Sequence, residues 1–310
     1  MKGYFALLGA VLIWAVSYIV MKTATTDYPQ LLFQFWRYAA VAMVYFLCFY
    51  RSIKAISGSL WKMGLMRLGL ANFVLGFFSI YAVQYTTPTR VVVINSLIIG
   101  VVPLLRWIHE RCRPARGEIW SVGIALTAVA LLVGPEDGAV RLGDGLAFIG
   151  MLGSAYSIVL TSRLLSLHRA SVIQVSFLGV AGCAVYFTLA ASIYACFNPG
   201  GFALPSLLSQ PGTVAGILYM ILFVSVAANL LQVFGQRRLP PVTVSILFCL
   251  EPALTAVLDY LVLGHALSIR VMISGVLLIA ATIIATAYRR SEVRKRGKPE
   301  NGDLAFTDSI

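Results

Sequence analysis

Charge is what this 310-residue sequence has least of. Only 12% of its residues are charged, against roughly 25% in an ordinary soluble domain. Hydrophobic residues make up 59%, and mean hydropathy is +0.87. That balance excludes a water-soluble globular fold, a disordered chain and a coiled coil. The five cysteines (Cys48, Cys112, Cys183, Cys196 and Cys249) contain no C-x-x-C pair, and four lie inside apolar stretches. They read as packing residues, with no metal site and no disulfide frame. The three histidines, His109, His168 and His265, are too scattered to form a catalytic or metal cluster. No G-x-x-x-x-G-K-[ST] loop is present, so ATP is not a direct drive. What remains is an all-α integral membrane protein without cofactor. The apolar runs are continuous rather than alternating, which argues against a barrel.

A helix needs about 20 apolar residues to cross a bilayer. Ten stretches are read as spans: Gly3–Met21, Leu31–Tyr50, Trp61–Tyr85, Thr89–Ile108, Ile119–Val133, Gly145–Leu165, Val172–Phe197, Thr213–Phe234, Val242–Leu263 and Ile269–Tyr288. The fifth is the shortest. The first has a basic start at Lys2, but its length and the lack of an A-x-A site favour a span over a cleaved leader.

Basic residues test the count. With the N-terminus cytoplasmic, ten spans put 19 of the 24 Lys and Arg residues on the inside and four (Lys22, Arg90, Arg141 and Arg270) on the outside, with Arg37 inside a span. This satisfies the positive-inside rule, and an error of one span would destroy the pattern. A multi-pass inner (plasma) membrane protein with both termini cytoplasmic is therefore expected. In a soluble protein the net charge of +12 would suggest nucleic acid. Here orientation explains it, and no nucleic-acid partner is expected. The tail, residues 289–310, carries six cations from Arg289 to Lys298. These serve as a cytoplasmic anchor, with anionic lipid a possible second partner.

Ten spans divide into two fives, residues 1–140 and 141–288. An odd number per half means the copies insert in opposite orientations, as inverted repeats do in transporters. Pro103 in span four and Pro252 in span nine sit deep in corresponding runs, each followed by a glycine (Gly123, Gly275) in the next span.

Several short motifs resemble the drug/metabolite transporter superfamily, in its ten-span EamA-type branch. They include Leu12-Ile13-Trp14 with Lys22, Arg37 in span two, and Tyr81-Ala82-Val83-Gln84-Tyr85 ending span three. In the second half they include Gly143-Asp144-Gly145, Leu239-Pro240-Pro241 through Leu250-Glu251-Pro252, and Leu261-Val262-Leu263-Gly264. The likeness covers about residues 3–288. The chain has Gly264-His265 where the family commonly has Gly-Glu, and a shorter Pro103–Glu110 spacing. The resemblance implies ten transmembrane helices as two inverted five-helix repeats around a central cavity. It also implies movement of small organic solutes, often outward.

Charges inside a bilayer are expensive and mark candidate sites. Glu251 lies roughly 15 Å into span nine, near the midplane. Pro252 removes a backbone hydrogen bond there and frees the Phe248 carbonyl. A carboxyl beside a broken helix can bind a proton or a cationic group, or can lock neighbouring helices together. Asp259 lies two turns further on and either lines a vestibule or snorkels. Arg37 pairs with a carboxyl, recognises an anion or structures a gate. Asn72, Asn95, Asn229 and Gln232 are amides within apolar runs, able to line a cavity or to join helices. Asn229 and Gln232 share a helix face. Trp14, Tyr18, Phe78, Tyr81 and Tyr156 are candidate aromatic lining, with core packing or an interfacial belt as the alternative.

The sequence is thus read as a secondary transporter of small organic metabolites (amino acids or related amphipathic solutes), working by alternating access, with efflux and proton exchange expected. An uptake permease or facilitator of the same fold is the alternative. A scaffold, a channel and a membrane enzyme fit less well: there is no filter motif, and Glu251 and Asp259 are roughly 12 Å apart along their helix. One chain can hold the whole pathway, so a monomer suffices and a dimer is permitted.

Overall fold

A computed structural model describes residues 2–24, 29–86, 91, 94–111, 116–133, 141–166, 169–198, 211–255, 257 and 269–295. Among them there is no β-strand. Each of the ten apolar stretches carries helix. We number these α1 (Lys2–Ala24), α2 (Gln30–Lys54), α3 (Gly58–Met63, Gly64–Leu68 and Gly69–Tyr85), α4 (Ile98–Glu110) and α5 (Arg116–Val133). The second series is α6 (Leu142–Ser166), α7 (Val172–Phe197), α8 (Pro211–Tyr219, Met220–Ala228 and Asn229–Gln236), α9 (Pro241–Phe248) and α10 (Ile269–Lys295). Five described runs are long and apolar enough to cross a membrane: Gln30–Lys54, Gly58–Ala82, Leu142–Ser166, Val172–Phe197 and Val214–Gln236.

Two helices contain π-helical segments, Gly64–Leu68 in α3 and Met220–Ala228 in α8. Such segments insert an extra residue per turn and shift every side chain that follows around the helix. Two other helical runs are broken by turns. Leu97 precedes α4, with Gly100 N–H turning back to the Leu97 carbonyl at 3.0 Å. Cys249 and Leu250 end α9, before helix resumes at residues 251–255. The two breaks meet: the Cys249 thiol donates to the Ser96 carbonyl at 3.2 Å.

Helix pairing follows a regular scheme. α3 packs on α6, and α8 on α1; α3 packs on α7, and α8 on α2; α4 packs on α6, and α9 on α1. The pairs α2·α7, α4·α9 and α5·α10 are also packed together, beside further contacts such as α6·α9 and α7·α8. Close approach is made possible by small residues. A Cβ on Gly182 would lie 2.6 Å from Gly69 Cα and 2.8 Å from the Leu65 carbonyl oxygen, so α3 and α7 touch through bare backbone. The start of α6 is fixed by Asp144, whose carboxylate accepts from Thr86 Oγ1 and from the Arg141 N–H, both at 2.9 Å. Gly143 beside it has no room for a Cβ, which would lie 2.6 Å from the Ala82 carbonyl oxygen. The Gly-Asp motif therefore serves to seat α6 on the end of α3.

The outside of the bundle is apolar. Leu47, Trp120, Ile269 and Phe197 are between 70% and 81% exposed, a surface suited to lipid and costly in water. One expectation is corrected here. Cys48 and Cys196 lie on this outer surface rather than in the packing, while Cys183 and Cys249 are buried; hydropathy alone does not separate lipid-facing from core positions in a membrane helix. α10 runs on to Lys295, seven residues past Tyr288, with no Gly or Pro to stop it. Cys112, His168, His265, Asp259 and the rest of the tail lie outside the described residues.

Candidate functional site

A cavity of about 260 Å³ lies at the centre of the bundle. Its walls come from α1 to α4 and from α6 to α9; among the described residues, none from α5 or α10, which pack on each other, lines it. Each wall helix owes its place to an apolar face buried in one of the clusters around the cavity. The largest cluster joins Leu7 and Val11 of α1, Ile99 and Val102 of α4, Met151 of α6 and Val244 and Ile246 of α9. With those faces committed to packing, the polar residues on the same helices point inward.

Eight of the residues singled out in the sequence line this space: Trp14, Arg37, Asn72, Asn95, Asn229, Gln232, Glu251 and Pro252. Trp14 packs edge-on against Phe248, with ring centroids 5.1 Å apart. Asn72 accepts a 2.6 Å hydrogen bond from Ser157 Oγ and so ties α3 to α6 at the wall. Asn95 Oδ1, Asn229 Oδ1 and Ser79 Oγ are buried without a hydrogen-bond partner among the described residues. Unpaired polar atoms in an apolar setting cost free energy until a ligand or water satisfies them.

The most buried charge at the cavity is Arg37, 8% exposed. Its Nε donates to Ser225 Oγ at 2.8 Å and its Nη1 to Gln34 Oε1 at 3.2 Å. Ser225 Oγ in turn donates to the Met220 carbonyl at 2.9 Å, five residues back in the π segment. Both acceptors of the guanidinium are neutral, and it forms no ion pair with a carboxylate among the described residues. Tyr38 lies beneath it, the guanidinium carbon 5.3 Å from the ring centroid, and Tyr38 stacks on Phe187 at 5.3 Å.

Other candidates fall elsewhere. Phe78 and Tyr81 do not line this cavity and belong with Phe77 to an aromatic group on α3, at 5.4 and 4.8 Å from it. Tyr156 lies 5.6 Å from His109 and packs on a neighbouring cluster. Pro103 is buried in α4, beyond the Leu97 turn. The side chain of Tyr18 and all of Asp259 lie outside the described residues. Sequence reasoning missed Gln34, Tyr38, Ser79, Ser96 and Ser225, all of which line the cavity. Gln34 carried a usable signal, since it stands three residues before Arg37 and so on the same helix face. The serines carried none, because a serine in an apolar helix ordinarily bonds to its own backbone.

Comparison with known proteins decides what kind of bundle this is. The model of the EamA-like transporter family matches residues 1–134 and 141–287. The chain belongs to that family. It is a multi-pass membrane protein and a transporter. This EamA-like transporter is 24% identical, over 296 residues, to an uncharacterized transporter from Archaeoglobus fulgidus, covering 92% of the present chain and 98% of that one. A crystal structure 18% identical to it superposes with a TM-score of 0.68 over 93% of this chain and 98% of that chain, which shows a shared fold. The family boundary between residues 134 and 141 falls between α5 and α6.

Proposed function

We propose that this EamA-like transporter is a secondary transporter of small organic metabolites, amino acids or related amphipathic solutes, working by alternating access with export as its direction. The observation that carries the reading is the central cavity, whose polar lining is supplied by both halves of the chain. Relative motion of the halves would then expose one site to either side. A volume of about 260 Å³ falls just below the roughly 300–1,000 Å³ typical of drug-sized ligands, which favours a small solute.

We read the architecture as ten spans in two inverted five-helix repeats, residues 1–140 and 141–288, in the inner membrane with both termini cytoplasmic. The pairing scheme supports this. Exchanging each helix for the one five places on turns α3·α6 into α8·α1, α3·α7 into α8·α2 and α4·α6 into α9·α1, and leaves α2·α7, α4·α9 and α5·α10 unchanged. The π segments of α3 and α8 and the breaks at Leu97 and at Cys249–Leu250 correspond under the same exchange. Paired irregularities near the cavity are where the two halves would hinge.

Glu251, a carboxyl on the cavity wall next to Pro252, is the proposed proton site. The test is flux in proteoliposomes over a panel of amino acids and small metabolites, with and without a pH gradient, for the native protein and Glu251→Gln. Flux driven by the gradient only with Glu251 intact supports proton-coupled export. Gradient-independent flux that survives Glu251→Gln makes the protein a facilitator. Absence of flux for every solute contradicts the transport reading on this panel.

A further inference from the structure

We infer that the solute this cavity accepts carries a single carboxylate, held by the Arg37 guanidinium, with Gln34 and Ser225 acting as its positioning residues. The inference rests on the transporter reading and specifies its cargo.

Three observations converge. The first is charge. Arg37 brings a guanidinium, the side chain best suited to bidentate anion recognition, into the cavity wall. It is 8% exposed, and its partners are two neutral side chains. A buried cation whose described partners are all neutral is costly, and the cost is relieved by an anion that enters and leaves. The second is geometry. Nε and one hydrogen of Nη1 are committed, which leaves both Nη2 hydrogens and the other Nη1 hydrogen without a partner among the described residues. The Nη1–Nη2 edge of a guanidinium is of the kind that matches a carboxylate. The Tyr38 ring, itself stacked on Phe187, backs the guanidinium and limits its swing. The third is the rest of the wall. Glu251 lines the same cavity, so whenever its carboxyl is ionised a second negative charge on the solute would meet repulsion. The unpartnered Asn95 Oδ1, Asn229 Oδ1 and Ser79 Oγ offer hydrogen-bonding sites to a neutral or ammonium-bearing remainder, and Trp14 and Phe248 offer it an apolar face.

This placement also joins binding to motion. Ser225 sits within the π segment of α8, and Arg37 reaches it from α2. A carboxylate that pulls the guanidinium toward the cavity acts directly on the hydrogen bond linking the two helices.

The experiment measures ligand-induced thermal stabilisation of the purified full chain with matched probes. These are leucine, 4-methylvalerate (carboxylate without amine) and isoamylamine (amine without carboxylate), the corresponding phenylalanine set, and inorganic phosphate. The expected result is that stabilising probes carry a carboxylate and that the decarboxylated partner binds at least about 30-fold more weakly. Arg37→Gln should lose the response and Arg37→Lys should keep part of it. The native protein alone decides the matter if Arg37→Gln fails to fold. Three results overturn the inference: equal binding of the amine and its amino acid, phosphate binding as tightly as any carboxylate, or no stabilisation by any probe. None of these touches the transporter reading, which the flux assay tests separately.

Discussion

Arg37 and Ser225 stand 188 residues apart in sequence and 2.8 Å apart in space, the arginine Nε donating to the serine hydroxyl across the wall of the central cavity. Both are buried, at 8% and 5% exposure. The hydroxyl also bonds to the Met220 carbonyl, so one small side chain connects a buried charge on α2 with the π segment of α8.

Removing that hydroxyl should be felt in stability. Ser225→Ala leaves the Arg37 Nε and the Met220 carbonyl each short of a partner, a loss of about 1–3 kcal/mol. Thermal unfolding in detergent should show a lowered midpoint. An unchanged midpoint would mean that water replaces the serine and that the link is not structural.

Backbone contact between α3 and α7 predicts a sharper effect. Gly182→Val places a branched side chain against the Gly69 backbone and the Leu65 carbonyl, overpacking that costs about 1–3 kcal/mol or more. Gly123→Ala is the control, since nothing lies within 4 Å of a Cβ there. The first variant should fall in yield of monodisperse protein and the second should not.

These two sites illustrate what was legible in the sequence. Ten apolar stretches and their basic flanks were readable because hydropathy and charge are local. The inward positions of Asn72, Asn95, Asn229, Gln232 and Glu251 were suggested by a simple cost argument, since polar groups avoid lipid. Arg37 stood out for the same reason, yet its neutral partners did not, because Ser225 looks like any other small residue in an apolar helix. The misreading of Cys48 and Cys196 has the opposite cause. Lipid and protein core are both apolar, so no local signal says which of them a thiol faces. Phe78, Tyr81 and Tyr156 were grouped with the cavity on residue type and depth alone. A helix turns about 100° per residue, so aromatics on one span need not face one space.

Thiol chemistry checks the packing independently. A membrane-permeant maleimide should modify Cys48 and Cys196 in the folded protein, while Cys183 and Cys249 stay unmodified until denaturation. Mass spectrometry of peptides reads the result. Rapid labelling of Cys249 in the folded state would contradict its place between the two helix breaks.

The Trp14–Phe248 pair should matter for the solute more than for the fold. An edge-to-face pair contributes about 0.5–1.5 kcal/mol beyond its buried area. Trp14→Phe should therefore keep most transport, whereas Trp14→Ala should weaken apparent solute affinity by up to about tenfold. Equal behaviour of the two variants in flux assays would remove Trp14 from the solute-facing wall.

The central claim is that one cavity between two halves opens alternately to each side of the membrane. Ser154, a half-buried cavity residue on α6, gives the most direct test. In a chain whose five native cysteines are replaced, Ser154→Cys would be treated with a membrane-impermeant thiol reagent in right-side-out and in inside-out vesicles. The account predicts modification from both sides, slowed from both by a transported solute. Modification from one side only, or from neither, would contradict it.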